Sequence, residues 1–164
     1  KEFFDVMCKW KEEIQRAEDA GESKPPIPDY VGDCFLKIAE HLSYKPNFIN
    51  YPFKDEMIGD GIENCVMYAS NFDPEKSTNP FSYFTQIIYF AFLRRIQKEK
   101  KQNYIKYKST MEADQYGEFR KWFKNNYFEN DEKSVSELFD LSQNDLEKFE
   151  PKKKKKKTIR KKSE

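Results

Sequence analysis

The side chains of this chain that could do chemistry are suited to recognition rather than to making bonds. The sequence holds no glycine-rich phosphate loop, no nucleophile–base pair and no metal-ligand spacing. His41 is the sole histidine. Cys8, Cys34 and Cys65 are odd in number and lack CxxC spacing, so free thiols are expected rather than a zinc site or a disulfide framework. The informative residues fall between Tyr51 and Lys108. A helix bearing Glu56, Asp60 and Glu63 is followed by the aromatics Phe72, Tyr83 and Phe84, then by a basic run from Arg94 through Lys101. Carboxylates on one helix face suit a basic protein partner, rings suit unstacked bases, and Arg and Lys suit phosphates. No catalytic residue, cofactor or metal is assigned.

Charge is segregated along the chain. The formal net charge is +1, but residues 1–91 carry −7, 92–108 carry +6, 109–150 carry −6 and 151–164 carry +8. Basic blocks in an acidic chain favour local contact with phosphates over wrapping of nucleic acid. Aromatics reach 16 %, which argues against general disorder despite the high charge. No apolar run is long enough to span a membrane and no signal peptide is visible, so a cytoplasmic protein is expected. Residue 1 is Lys rather than Met, so the natural N-terminus is expected upstream.

The elements that must position these residues read as helices. Phe3, Met7, Trp10, Ile14 and Ala17 recur at helical spacing up to Gly21. A proline-rich connector over 24–28 leads to a second helix from Asp29 to about Tyr44, with Val31, Phe35, Ile38, Ala39 and Leu42 facing inward. Lys45-Pro46-Asn47 breaks it. A third helix covers about Phe53–Ser70. Asn79-Pro80 then gives an N-cap followed by proline at the first helical position, opening a fourth helix that continues to about Gln102 or beyond. Tyr116–Phe128 reads as a short amphipathic helix using Phe119, Trp122, Phe123 and Tyr127. The fold class is all-α.

In the third helix Glu56, Asp60, Glu63 and Met67 share one side, and Ile58, Ile62, Cys65, Ala69 and Phe72 the other. The apolar side is core; the acidic side is either solvated or a docking face. Gly59 and Gly61 each weaken a helix, and either leave a shallow spot for a partner or allow tight helix–helix packing. The fourth helix has two stripes. Phe81, Thr85, Ile88, Phe92 and Ile96 make a core stripe. Phe84, Ile87, Ala91, Arg94, Lys98 and Lys101 make a second, which begins aromatic and ends cationic. That second stripe either packs internally with a solvated basic end, or holds phosphates and unstacked bases.

Met57-Ile58-Gly59-Asp60-Gly61-Ile62, Asn71-Phe72-Asp73-Pro74 and Phe81-Ser82-Tyr83-Phe84 together resemble region 2 of bacterial sigma factors. With the Ile96–Lys101 end, the run is most similar to the late-transcription sigma factors of T-even-like bacteriophages. The resemblance covers about Trp10 to Lys108. It implies a compact helical domain over 1–108, with Glu56, Asp60, Glu63, Asn64 and Met67 docking on the β′ clamp helices of the host RNA polymerase core. It implies that Phe72, Tyr83 and Phe84 capture a base of a promoter −10 element, and that Ile87, Ala91, Arg94 and Arg95, continued by Lys98 and Lys101, contact DNA at its upstream edge. Ile87 and Ile88 stand where primary sigma factors carry two tryptophans, so strand opening is expected to depend on a late co-activator. Nothing after Ser109 resembles a helix-turn-helix for a −35 element.

Beyond the domain, residues 109–134 read as a linker with a short helix, 135–149 as a short apolar motif and 150–164 as a lysine-rich, disordered tail. Leu138, Phe139 and Leu141 either pack back on the domain or bind a partner. The resemblance implies the phage sliding clamp or the polymerase β flap as that partner. The tail either adds non-specific DNA affinity or solubilises. The function expected is a sigma factor for phage late promoters, working by binding. The alternative is a generic helical DNA-binding or interaction module with no polymerase partner; an enzyme finds no support in the motifs.

Overall fold

A computed structural model describes residues 1–127 and 135–151. Every element among them is helical: α1 Glu2–Ala20, α2 Asp29–Ser43, α3 Lys54–Tyr68, a 3-10 turn Ala69–Asn71, α4 Pro80–Ala113, α5 Glu118–Tyr127, α6 Val135–Leu138 and α7 Gln143–Phe149. The all-α expectation is met. Phe128, at the end of the expected fifth helix, residues 129–134 of the expected linker and the lysine tail from Lys152 onward lie outside the described residues. Packing divides the chain into residues 1–97 and 98–164, with α4 contributing to both units. No helix among the described residues is long and apolar enough to cross a membrane.

The first unit starts and stops its helices where local chemistry requires it. Gly21 takes φ 71° after α1, and the Glu22 N–H returns to the Ala17 carbonyl at 2.8 Å, closing the helix with a left-handed cap. Trp10 Nε1 donates to the Pro26 carbonyl at 2.9 Å and so ties the proline-rich connector to α1. At the head of α4, Asn79 Oδ1 accepts the Ser82 N–H at 3.2 Å, as the Asn-Pro pair predicts.

The core of this unit is largely aromatic. Met7, Trp10 and Ile14 of α1 and Val31, Phe35, Ile38, Ala39 and Leu42 of α2 are buried, matching the expected faces. They meet Phe84, Ile88, Phe92 and Ile96 of α4. Phe84 is the hub: its ring lies 4.5 Å from Phe35, 5.8 Å from Phe3 and 6.1 Å from Phe72 between centroids. Phe48, in the turn after α2, packs edge-on against Phe92 at 5.2 Å.

The two glycines of α3 have opposite environments. A Cβ at Gly61 would lie 3.0 Å from Ile88 Cγ2 and 3.2 Å from Phe92 Cε1, whereas one at Gly59 would meet nothing within 4 Å. Gly61 therefore lets α3 approach α4 closely, and it does not form a shallow docking spot for a partner. Gly59→Ala should stabilise the fold by about 0.5–1 kcal/mol through helix propensity. Gly61→Leu should cost about 1–3 kcal/mol or more by overpacking. Paired urea titrations check the opposite signs.

In the second unit, Asp114 caps the start of α5 by accepting the Phe119 and Arg120 N–H groups at 3.0 and 3.2 Å. Ser142 and Asp145 form a reciprocal capping box at α7. Burial acts to raise the Asp145 carboxyl, but the Lys100 ammonium at 2.8 Å and the Ser142 donors outweigh it and hold it below the usual carboxylate range. The Tyr104 ring packs on Phe149 at 5.8 Å, and its buried hydroxyl has no hydrogen-bond partner among the described residues. Such a group forfeits about 1–3 kcal/mol of hydration. Tyr104→Phe is therefore expected to raise stability, by up to about 1 kcal/mol; a lower thermal midpoint would show that the hydroxyl has a partner in solution.

Candidate nucleic-acid interface

Once Gly61 brings α3 and α4 together, one stripe of each helix is left at the surface. From α3 come Asn64 and Tyr68, four residues apart; from α4 come Ile87, Phe90 and Arg94, spaced by three and four. These five residues line a groove of about 480 Å³. Tyr68 and Phe90 are 44 % and 55 % exposed, enough to offer ring faces to a ligand. Val66 and Met67 extend the exposed apolar surface of α3.

A polar latch joins the two helices beside this groove. Arg95 donates two hydrogen bonds to the Asp60 carboxylate, each 2.6 Å. Arg94 Nη2 donates to Asn64 Oδ1 at 2.7 Å, and Asn64 Nδ2 donates in turn to the Asp60 carbonyl at 2.7 Å. The two arginines thus have different electrostatic roles. The Arg95 charge is matched by a carboxylate, and the fork geometry favours that pair. Arg94 is exposed and bonded to a neutral amide, so its charge remains available for an anion.

The structure redistributes the residues expected from sequence. Glu56, Glu63 and Met67 are exposed on α3. Asp60 and Asn64, expected to face a protein partner, are instead bonded to Arg95 and Arg94, which were expected at DNA. Phe72 and Phe84 are fully buried and Ala91 is 1 % exposed, so none of the three has a surface to offer a base. Their burial follows from helix–helix packing: Phe84 and Ala91 lie on the same side of α4 as Ile88, which faces the core. Tyr83 is partly buried against Phe72 and Phe84, with centroids 5.4 and 5.0 Å away. Its phenol is pushed up first by burial and then by the neighbouring Cys65. Phe81, expected in the core stripe, is exposed. Lys98 and Lys101 are exposed and belong to the second unit.

Tyr68 and Phe90 are the aromatics that sequence reasoning missed. Phe90 lies one position before Ala91, between Ile87 and Arg94, so it fits the same helical spacing equally well. The signal that distinguishes them is side-chain type: an aromatic and an alanine compete for one bearing, and the smaller residue fits the tight contact with the core.

The thiol chemistry is quiet. Burial pushes the Cys65 thiol up to about 12, and its Sγ lies 3.9 Å from the Phe84 carbonyl, to which the S–H can donate. Burial, with Asp5 and Glu12 nearby, also raises Cys8. Such thiols remain protonated at neutral pH and are poor nucleophiles.

The short apolar motif is folded into the second unit. Leu141 is 2 % exposed and its N–H bonds to the Ser136 carbonyl at 3.1 Å, while the Phe139 ring packs on Tyr107 at 5.9 Å. Leu138 is exposed. Of the three residues expected to bind a clamp or flap, Phe139 and Leu141 are thus engaged internally, Phe139 against Tyr107 of α4 and Leu141 by burial. The motif would have to detach to present all three to a partner.

The α3–α4 groove combines ring faces, one aliphatic wall and one uncompensated guanidinium, which suits an unstacked base and its phosphate. Compared with protein-family models and with curated proteins, the chain finds no match.

Proposed function

We propose that this protein is a sigma-type transcription factor that binds promoter DNA through the α3–α4 groove and host-type RNA polymerase through the exposed acidic side of α3. The observation that carries the reading is the groove itself, where Tyr68, Phe90 and Arg94 stand together on the helix pair that carries the sigma-like motifs. In this reading Tyr68 and Phe90, rather than Phe72 and Phe84, stack on an opened base, and Arg94 holds a phosphate. Ile87 is the aliphatic wedge at the edge of the opened step. Glu56, Glu63 and Met67 dock on polymerase. Lys98 and Lys101 are proposed as separate phosphate contacts. The partners are promoter DNA, the polymerase clamp helices and a late co-activator that assists strand opening.

The test is co-purification with core RNA polymerase, followed by run-off transcription from a promoter bearing only a −10 element. Binding that is lost in a Glu56→Lys/Glu63→Lys chain, with transcription lost in parallel, supports the reading. DNA binding without any polymerase association overturns it in favour of a helical DNA-binding module. One observation favours that second reading: Asp60 and Asn64 are occupied by Arg95 and Arg94, which leaves α3 fewer groups for polymerase.

A further inference from the structure

A second surface is built by α2 and the turn that follows it. Ile38 and Leu42 are buried at its inner side, and Lys37, His41 and Lys45 follow at four-residue spacing and are exposed. With Phe3 of α1 and Phe81 of α4 they line a pocket of about 390 Å³ whose lining holds no carboxylate. A pocket of this size has room for a large apolar side chain. Phe81 is 58 % exposed there, so a bulky apolar ring stands open to water beside cations.

Those cations are unusual within this unit. Residues 1–91 are net acidic, and their other basic groups are mostly engaged. Lys11 donates to the Ser70 carbonyl, Arg16 pairs with Glu12 and Lys76 pairs with Asp73. Lys24 and Lys54 lie over the rings of Trp10 and Tyr44. The ammonium groups of Lys37 and Lys45 have no such partner among the described residues. Lys37 lies on α2 and Lys45 two residues past its end, eight residues further along the chain. A single carboxylate or phosphate head would meet one of them. A row of carboxylates at four-residue spacing on another helix would meet both.

We propose that this pocket receives an amphipathic helix of a partner protein, with a leucine or phenylalanine seated between Phe3 and Phe81 and glutamates or aspartates along the Lys37–Lys45 row. Helix-in-groove recognition of this type supplies apolar anchors at i and i+3 or i+4, and charge sets the orientation. The proposal does not rest on the DNA-binding reading, because the pocket and the groove share no lining residue.

The probe is a designed, fluorescein-labelled helix of about five turns, with a leucine stripe flanked on one side by glutamates. A matched helix with lysines in place of the glutamates is the control. The full chain is expected to bind the acidic helix, and Lys37→Glu/Lys45→Glu is expected to weaken it by at least about tenfold while improving binding of the lysine helix. Both lysines are exposed, so circular dichroism should show an unchanged fold. Cys34 also lines the pocket, and bound helix should slow its alkylation by iodoacetamide while the rate at Cys8, outside the pocket, stays the same. Equal binding of the two helices, unchanged affinity in the charge-reversed chain, or no protection of Cys34 would each overturn the proposal. Binding of oleate without binding of the acidic helix would also overturn it, in favour of a small anionic amphiphile.

Discussion

Phe84→Ala is expected to destabilise the first unit by about 3–5 kcal/mol, the cost of removing a fully buried aromatic and leaving a cavity. The ring has no exposed surface and is surrounded by Phe3, Phe35, Phe72 and Tyr83, so little of its neighbourhood can collapse without moving two helices. For a domain whose total stability is about 5–15 kcal/mol, that loss leaves a substantial unfolded fraction near physiological temperature. Urea unfolding followed by Trp10 fluorescence in a Trp122→Phe background measures it, since Trp10 is buried in the same core. The midpoint should fall with little change in slope. The experiment also decides between two roles for this residue. A base platform would lose DNA affinity with an intact fold, so a Phe84→Ala chain with an unchanged midpoint and lost DNA binding would return Phe84 to the interface.

The readability of this fold from sequence varied with how one-sided each helix is. α1 and α2 have distinct apolar and polar faces, so the positions expected inside, such as Met7, Trp10, Phe35 and Leu42, are those found buried. The Asn79-Pro80 cap is local chemistry and was equally legible. α3 was rotated slightly from expectation. Met57, Gly61 and Cys65 are at its buried centre, with Ile58 and Ile62 only partly covered, because Gly61 determines how closely α4 can approach. A wheel weighted by hydrophobicity gives glycine little weight. α4 is apolar on most sides, so periodicity allowed two stripes and could not rank them. The ranking is set by long-range packing of Phe84 on Phe35, which no local pattern contains. Its extent to Ala113 was likewise open from sequence.

The site was legible as a region and not as a set of contacts. The acidic helix, the aromatics and the basic run do converge on the α3–α4 pair, yet the pairing of Asp60 with Arg95 joins residues 35 apart in sequence. That pairing changes what each group can do. A carboxylate expected at a protein partner and an arginine expected at DNA neutralise each other, and the charges left exposed for the proposed contacts are Glu56 and Glu63 on one side and Arg94 on the other. By the same logic, the proposed base stacking falls to Tyr68 and Phe90, which are exposed, rather than to Phe72 and Phe84, which are buried. Where a helix holds more aromatics than its core can accept, the surplus rings are the ones available for binding.

Tyr68→Ala and Phe90→Ala are each expected to weaken binding of a short A/T-rich single strand by about 1–3 kcal/mol, or roughly five- to over a hundredfold, because each removes one stacking face. Both rings are about half exposed, so neither change should shift the urea midpoint as Phe84→Ala does. If one base is sandwiched between the two rings, the double variant should lose less than the sum of the singles, since the second ring loses its purpose once the base is free; additive losses would indicate two bases on two separate platforms. Arg94→Gln tests the phosphate contact separately. Gln keeps a donor toward Asn64 but removes the charge, so the slope of log affinity against log salt should flatten by about 0.7 for a single strand. Arg95→Gln should leave that slope nearly unchanged, because the Asp60 carboxylate already compensates Arg95. Phe81→Ala is the control: an exposed ring on the same helix but outside the groove, whose loss should not affect the strand. Fluorescence anisotropy across a salt series measures all of these. If Phe81→Ala weakens binding as much as Phe90→Ala, the rings act through general apolar surface and the groove is not where the base sits.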